Sequence, residues 1–127
     1  MDEVKALIEN TDINIDFTDN NTGDTALMLA AQYGHEGIVA RLLKAGAKVD
    51  LTNEDGSTAL MWAAEDGHEG IVARLLKAGA NARHANNNHD TAMSLAAKNK
   101  HPSVVITLIK AGGFEPSQFK DKPDLTR

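Results

Sequence analysis

Apolar residues recur along this chain at helical spacing, in short and evenly separated bursts. Ile38, Val39, Leu42 and Leu43 fall on one helix face, and Ile71, Val72, Leu75 and Leu76 repeat that face 33 residues later. Val104, Val105, Leu108 and Ile109 repeat it again. Ahead of each burst lies a second short helical segment rich in Ala and Leu, Ala26 to Tyr33 in the first case. Thr25, Thr58 and Thr91 stand where a hydroxyl can cap the start of that segment. Gly34 and Gly67 follow it and supply the left-handed backbone that ends a helix. The pattern predicts two helices per unit, each of about two or three turns, too short to persist alone in water. Such a unit must bury its apolar faces on copies of itself.

The copies are explicit. Gly34 to Ala47 reads GHEGIVARLLKAGA, Gly67 to Ala80 reads the same, and Lys100 to Gly113 is a looser version, KHPSVVITLIKAGG. Two complete units span 23–55 and 56–88, with a turn signal at Asp55-Gly56. A third, 89–121, closes the series as a cap. Residues 1–22, with Val4, Leu7 and Ile8 on one face, form a truncated first unit, and 122–127 form a frayed tail. Phe114 and Phe119 are placed to cover the last helix pair. Lys100 occupies the position held by Gly34 and Gly67, where a side chain costs about 1 kcal/mol or more at positive φ. Pro102 partly compensates, since it suits a first helical turn.

Composition removes several classes of function. The 127 residues are 42% apolar and 24% charged, as in ordinary soluble domains. Without cysteine there is neither a disulfide framework nor a Cys-ligated zinc site. The acidic start, MDEVKALIENTD, is unlike a signal peptide, and no run of apolar residues is long enough for a membrane span. A net charge of −5 argues against nucleic acid, whose phosphates need a basic patch. Ser57, Ser94, Ser103 and Ser117 carry no nucleophile motif, and the glycines punctuate helices instead of forming a phosphate loop. His84 and His89, flanking Asn86 to Asn88, read as a polar turn. No enzyme activity and no cofactor are expected, with a hydrolase as the remote alternative.

The unit reads Thr25-Ala26-Leu27-Met28, Ala30-Ala31, Gly34-His35, Ile38-Val39, Leu42-Leu43, Gly46-Ala47, and recurs from Thr58 to Ala80. Over about residues 4 to 113 this resembles the ankyrin repeat family. The resemblance implies an all-α solenoid of stacked helix-turn-helix units joined by β-hairpin-like loops. Two departures stand out. The family's proline is Ala26, Ala59 and Ala92, and its histidine is Met28, Met61 and Ser94. The usual threonine–histidine hydrogen bonding is therefore expected to be missing, with Met28 and Met61 filling those sites by apolar packing. His35, His68 and His101 are expected to bond the neighbouring loop. A shared metal does not fit them, because successive helices lie about 8–10 Å apart and zinc needs nitrogens about 2.0–2.1 Å away.

Ankyrin partners usually bind the concave face built from inner helices and hairpin tips. Leu29, Trp62 and Leu95 share one inner-helix position, flanked by Gln32-Tyr33, Glu65-Asp66 and Lys98-Asn99. The hairpin tips add Glu54, Asp55, Ser57 and Asp90, together with Asp19, Asn21, Asp24, Thr52, Asn87 and Asn88. Acid outweighs base on this side, and Trp62, the sole tryptophan, is the candidate anchor. The expected function is a non-catalytic protein–protein interaction module, monomeric and cytoplasmic or nuclear, with a basic protein partner. The alternative is a structural or consensus-like scaffold without a partner of its own.

Overall fold

The computed structural model describes residues 15–111, and within them six helices and no strands follow one another in pairs. Helices α1 (Ala26–Gln32) and α2 (Glu36–Lys44) form the first pair, α3 (Ala59–Glu65) and α4 (Glu69–Lys77) the second. Helices α5 (Ala92–Lys98) and α6 (Pro102–Ala111) form the third. The expected all-α repeat solenoid is the fold of the chain. Val4, Leu7, Ile8, Phe114, Phe119 and the tail 122–127 lie outside the described residues.

Inner helix packs on inner helix (α1 on α3, α3 on α5) and outer on outer (α2 on α4, α4 on α6). Leu27, Met28, Leu60 and Met61 enter the core from the inner layer. Val39, Leu42, Val72, Leu75, Val104 and Leu108 enter it from the outer layer. Each large side chain buried this way is worth about 1.5–3 kcal/mol. The small residues Ala30, Ala31, Ala63 and Ala64 are also buried and let the inner helices approach. The apolar face fades at the third unit: Val105 is half-buried and Ile109 is exposed. Among the described residues no further helix pair covers that side.

All three inner helices start as their threonines predict. Thr25, Thr58 and Thr91 each accept a hydrogen bond from the backbone N–H three residues on, at 3.2, 3.3 and 3.1 Å. The exchange of histidine for Met and Ser needs a correction, because apolar packing is not all that replaces it. The Thr25 N–H donates to Met28 Sδ at 3.5 Å, and the Thr91 N–H donates to Ser94 Oγ at 2.8 Å, closing a reciprocal cap. Met28 is buried, so its thioether fills space and takes the orphan donor together.

One contact joins each unit to the next. The Nε2–H of His68 donates to the Gln32 carbonyl at 3.0 Å, and that of His101 to the Glu65 carbonyl at 3.0 Å. Both imidazoles therefore reach the preceding inner helix rather than a loop. Each lies directly on a glycine. A Cβ at Gly34 would sit 2.7 Å from His68 Cε1, and one at Gly67 would sit 2.6 Å from His101 Nδ1. Both glycines hold positive φ, so backbone conformation and close approach impose the same residue. Lys100 keeps the conformation, at φ 63°, without being glycine.

The connecting loops stack as well. Asn53 Oδ1 accepts from the N–H groups of Asp55 and Ser57, and Asn86 Oδ1 accepts from those of Asn88 and Asp90. Successive tips then bond each other: the Glu54 N–H donates to the Thr22 carbonyl and the Asn87 N–H to the Asp55 carbonyl, at 3.0 and 2.9 Å. On the outer layer Arg74 Nε donates to Glu36 Oε2 at 2.8 Å, an exposed pair worth less than about 1 kcal/mol.

Two substitutions test the junction. Lys100→Gly should stabilise the protein by about 1 kcal/mol through relief of positive φ. Gly67→Ala should destabilise it by more than about 1 kcal/mol, since strain and the His101 contact act together. Urea unfolding followed by circular dichroism reads both. Equal effects of the two on stability would contradict this assignment.

Candidate functional site

The hairpin ladder and the inner helices bring one set of side chains together between the second and third units. The loop ending at Ser57 delivers Asp55, α3 delivers Met61, Trp62 and Glu65, the next loop delivers Asn86, Asn88 and Asp90, and α5 delivers Leu95 and Lys98. They line a groove of about 350 Å³. The helical periodicity explains the convergence: residues three apart share a face, so Trp62 and Glu65 lie along one side of α3, and Leu95 and Lys98 along one side of α5.

Trp62 is half-buried, packed against the core on one side and lining the groove on the other. Its indole Nε1 is inaccessible to solvent and has no hydrogen-bond partner among the described residues. Leaving such a donor unpaired costs about 1–3 kcal/mol. At the same position Leu29 is exposed, while Leu95 is 7% exposed and belongs to the core. One position thus carries three environments.

Charge in the groove is uneven. Lys98 Nζ pairs with Asp90 Oδ2 at 3.3 Å. Asp90 Oδ1 also accepts from Ser94 Oγ at 3.2 Å, which orients that carboxylate. Asp55 and Glu65 have no ion-pair partner among the described residues. The single ammonium is thus already committed, and two carboxylates remain to face whatever enters.

Of the residues singled out from the sequence, Asp55, Ser57, Trp62, Glu65, Asn88, Asp90, Leu95 and Lys98 meet in the groove. Ser57 is buried, and its hydroxyl accepts from Asn86 Nδ2 at 3.4 Å, so its contribution is to the loop ladder. Leu29, Gln32, Tyr33, Glu54, Asp66 and Asn99 are outside the lining. Tyr33 is 66% exposed at the end of α1, and Glu54 and Asp66 are exposed. Gln32 gives its carbonyl to His68, and Asn99 Nδ2 donates to the Leu95 carbonyl at 2.8 Å, finishing α5. Met61 and Asn86 line the groove without having been anticipated. Asn86 had a legible signal: it lies one unit after Asn53, the single identity between the loops 48–55 and 81–88.

Of the two histidines in the adjoining loop, His84 donates from Nε2 to the Gly56 carbonyl at 2.9 Å, and His89 is exposed. Among the described residues no three His, Asp or Glu side chains are grouped to hold a metal ion, and no helix is long and apolar enough to cross a membrane. A family model described as ankyrin repeats (3 copies) matches residues 1–53 and 37–119. No curated protein matches the chain.

The orphan indole generates a prediction. Trp62→Leu, which installs the residue of the first unit, should leave stability unchanged or raise it by up to about 1–3 kcal/mol, because the unpaired donor disappears. Thermal denaturation measures this. A loss of several degrees would show that the ring is needed for packing.

Proposed function

The chain belongs to the ankyrin repeat family, and from that membership we propose that it is an interaction module whose protein partner docks on the inner-helix and hairpin side. Ankyrin repeats mediate protein–protein interaction and are typically non-catalytic. The observation that carries the reading is the convergence, in a groove between two units, of Trp62 with Asp55 and Glu65, carboxylates without an ion-pair partner among the described residues. Aromatic side chains in partly enclosed pockets dominate binding energy at protein interfaces. Tyr33, Glu54 and Asp66, all exposed, extend the surface beyond the groove. A partner with a basic surface fits it, since complementary charge raises the encounter rate and excludes like-charged competitors.

The outer helices have a different role in this reading. Arg74 is paired with Glu36 and Thr107 Oγ1 with Glu69 Oε1 (3.2 Å), so polar groups there tie unit to unit. The inner side instead leaves charge unspent.

Quantitative affinity enrichment with the wild-type chain and the Trp62→Leu variant tests the proposal. A partner retained by the first should be reduced about tenfold or more on the second, as expected for loss of an aromatic anchor. Its association rate should fall about tenfold or more as salt screens the acidic side. Identical retention by both chains would remove Trp62 as the anchor, and failure of the wild-type chain to retain any partner would sink the proposal and leave a purely structural stack.

A further inference from the structure

We infer that the groove between the second and third units takes a single arginine side chain of the partner, with its guanidinium on the Trp62 ring and its donors directed to Asp55 and Glu65. This rests on the inner side being the binding side, and adds to it the chemistry of the occupant.

Size comes first. The groove, about 350 Å³, is at the small end of the range for single-ligand pockets, roughly 300–1,000 Å³. It suits one long side chain and the backbone that carries it, not a folded element. Charge comes second. Three carboxylates line it against one ammonium, and that ammonium is held by Asp90, so a cation is the complementary occupant. Shape and hydration decide between the two cationic side chains. Trp62 supplies the apolar wall, backed by the buried Met61 and Leu95. A guanidinium is planar, weakly hydrated and stacks on aromatic faces, and its fork can serve two carboxylates together. An ammonium is compact and strongly hydrated, and gains less from such a wall.

An internal comparison shows that folding does not demand this chemistry. One unit earlier the same scaffold position holds Leu29 for Trp62 and Gln32 for Glu65. The stack forms there with neither the ring nor that carboxylate. A tryptophan and a carboxylate that the same scaffold position does without one unit earlier are accounted for by what they bind. Lys98 then acts as an internal competitor, occupying Asp90 that the guanidinium would otherwise reach.

Trp62 is the sole tryptophan, so its indole N–H gives one assignable resonance and its emission one fluorescence signal. The full chain is titrated with the peptide Ser-Gly-Arg-Gly-Ser and with matched peptides carrying lysine or citrulline. The arginine peptide should shift the indole resonance saturably, the lysine peptide should bind about threefold or more weaker, and the neutral citrulline peptide should not bind. Lys98→Ala should tighten the arginine peptide by about twofold or more, because Asp90 is released. Equal binding of the arginine and lysine peptides would overturn the guanidinium assignment. Absence of any shift, in a chain whose retained partner is still lost on Trp62→Leu, would overturn this inference while leaving the interaction module standing. Loss of that dependence on Trp62 would instead count against the module itself.

Discussion

The stack depends on the approach of an imidazole to a glycine. At each described junction the histidine that opens an outer helix lies over the glycine ending the previous inner helix, and bonds a carbonyl two residues before that glycine. The contact satisfies a carbonyl that a helix end otherwise leaves open. It also sets the spacing at which Ala30, Ala31, Ala63 and Ala64 can interlock with the next inner helix. Helices of 7 to 10 residues have little stability of their own, so this spacing is a condition of their existence. Stability in such an array is a sum over units and their interfaces, and a defect at one glycine is felt on both sides of it.

From that spacing follows the position of the groove. The hairpin tips bond in register, Thr22 with Glu54 and Asp55 with Asn87, which carries the side chains of one loop to a constant offset from those of the next. Asn53 and Asn86 shape the two loops by each accepting from the backbone N–H groups two and four residues on. What differs between units is therefore displayed on a frame that does not differ. Trp62 and Glu65 replace Leu29 and Gln32, yet α1 and α3 have the same length and each starts on a threonine hydroxyl that accepts from the third helical N–H.

Much of this was legible in the letters. Identical stretches at Gly34 and Gly67 gave the unit length, the Thr hydroxyls gave the helix starts, and the replacement of glycine by Lys100 announced a positive φ that the backbone holds. Other features were not. Met28 sulfur accepting the Thr25 N–H could not be read from a pattern that treats methionine as apolar. Ser57 looked like a tip residue open to a partner, yet it is buried, because the neighbouring loop closes over it.

By itself the sequence determined the helix pairs, their order and their family. Those follow from local periodicity and from repetition, which are properties of residues close in the chain or related by a constant offset. Only the tertiary structure decided that Lys98 pairs with Asp90 and that, among the described residues, Asp55 and Glu65 lack an ion-pair partner and the Trp62 nitrogen a hydrogen-bond partner. Those depend on side chains from four separate segments meeting across a unit boundary, where angstroms decide whether a charge is compensated.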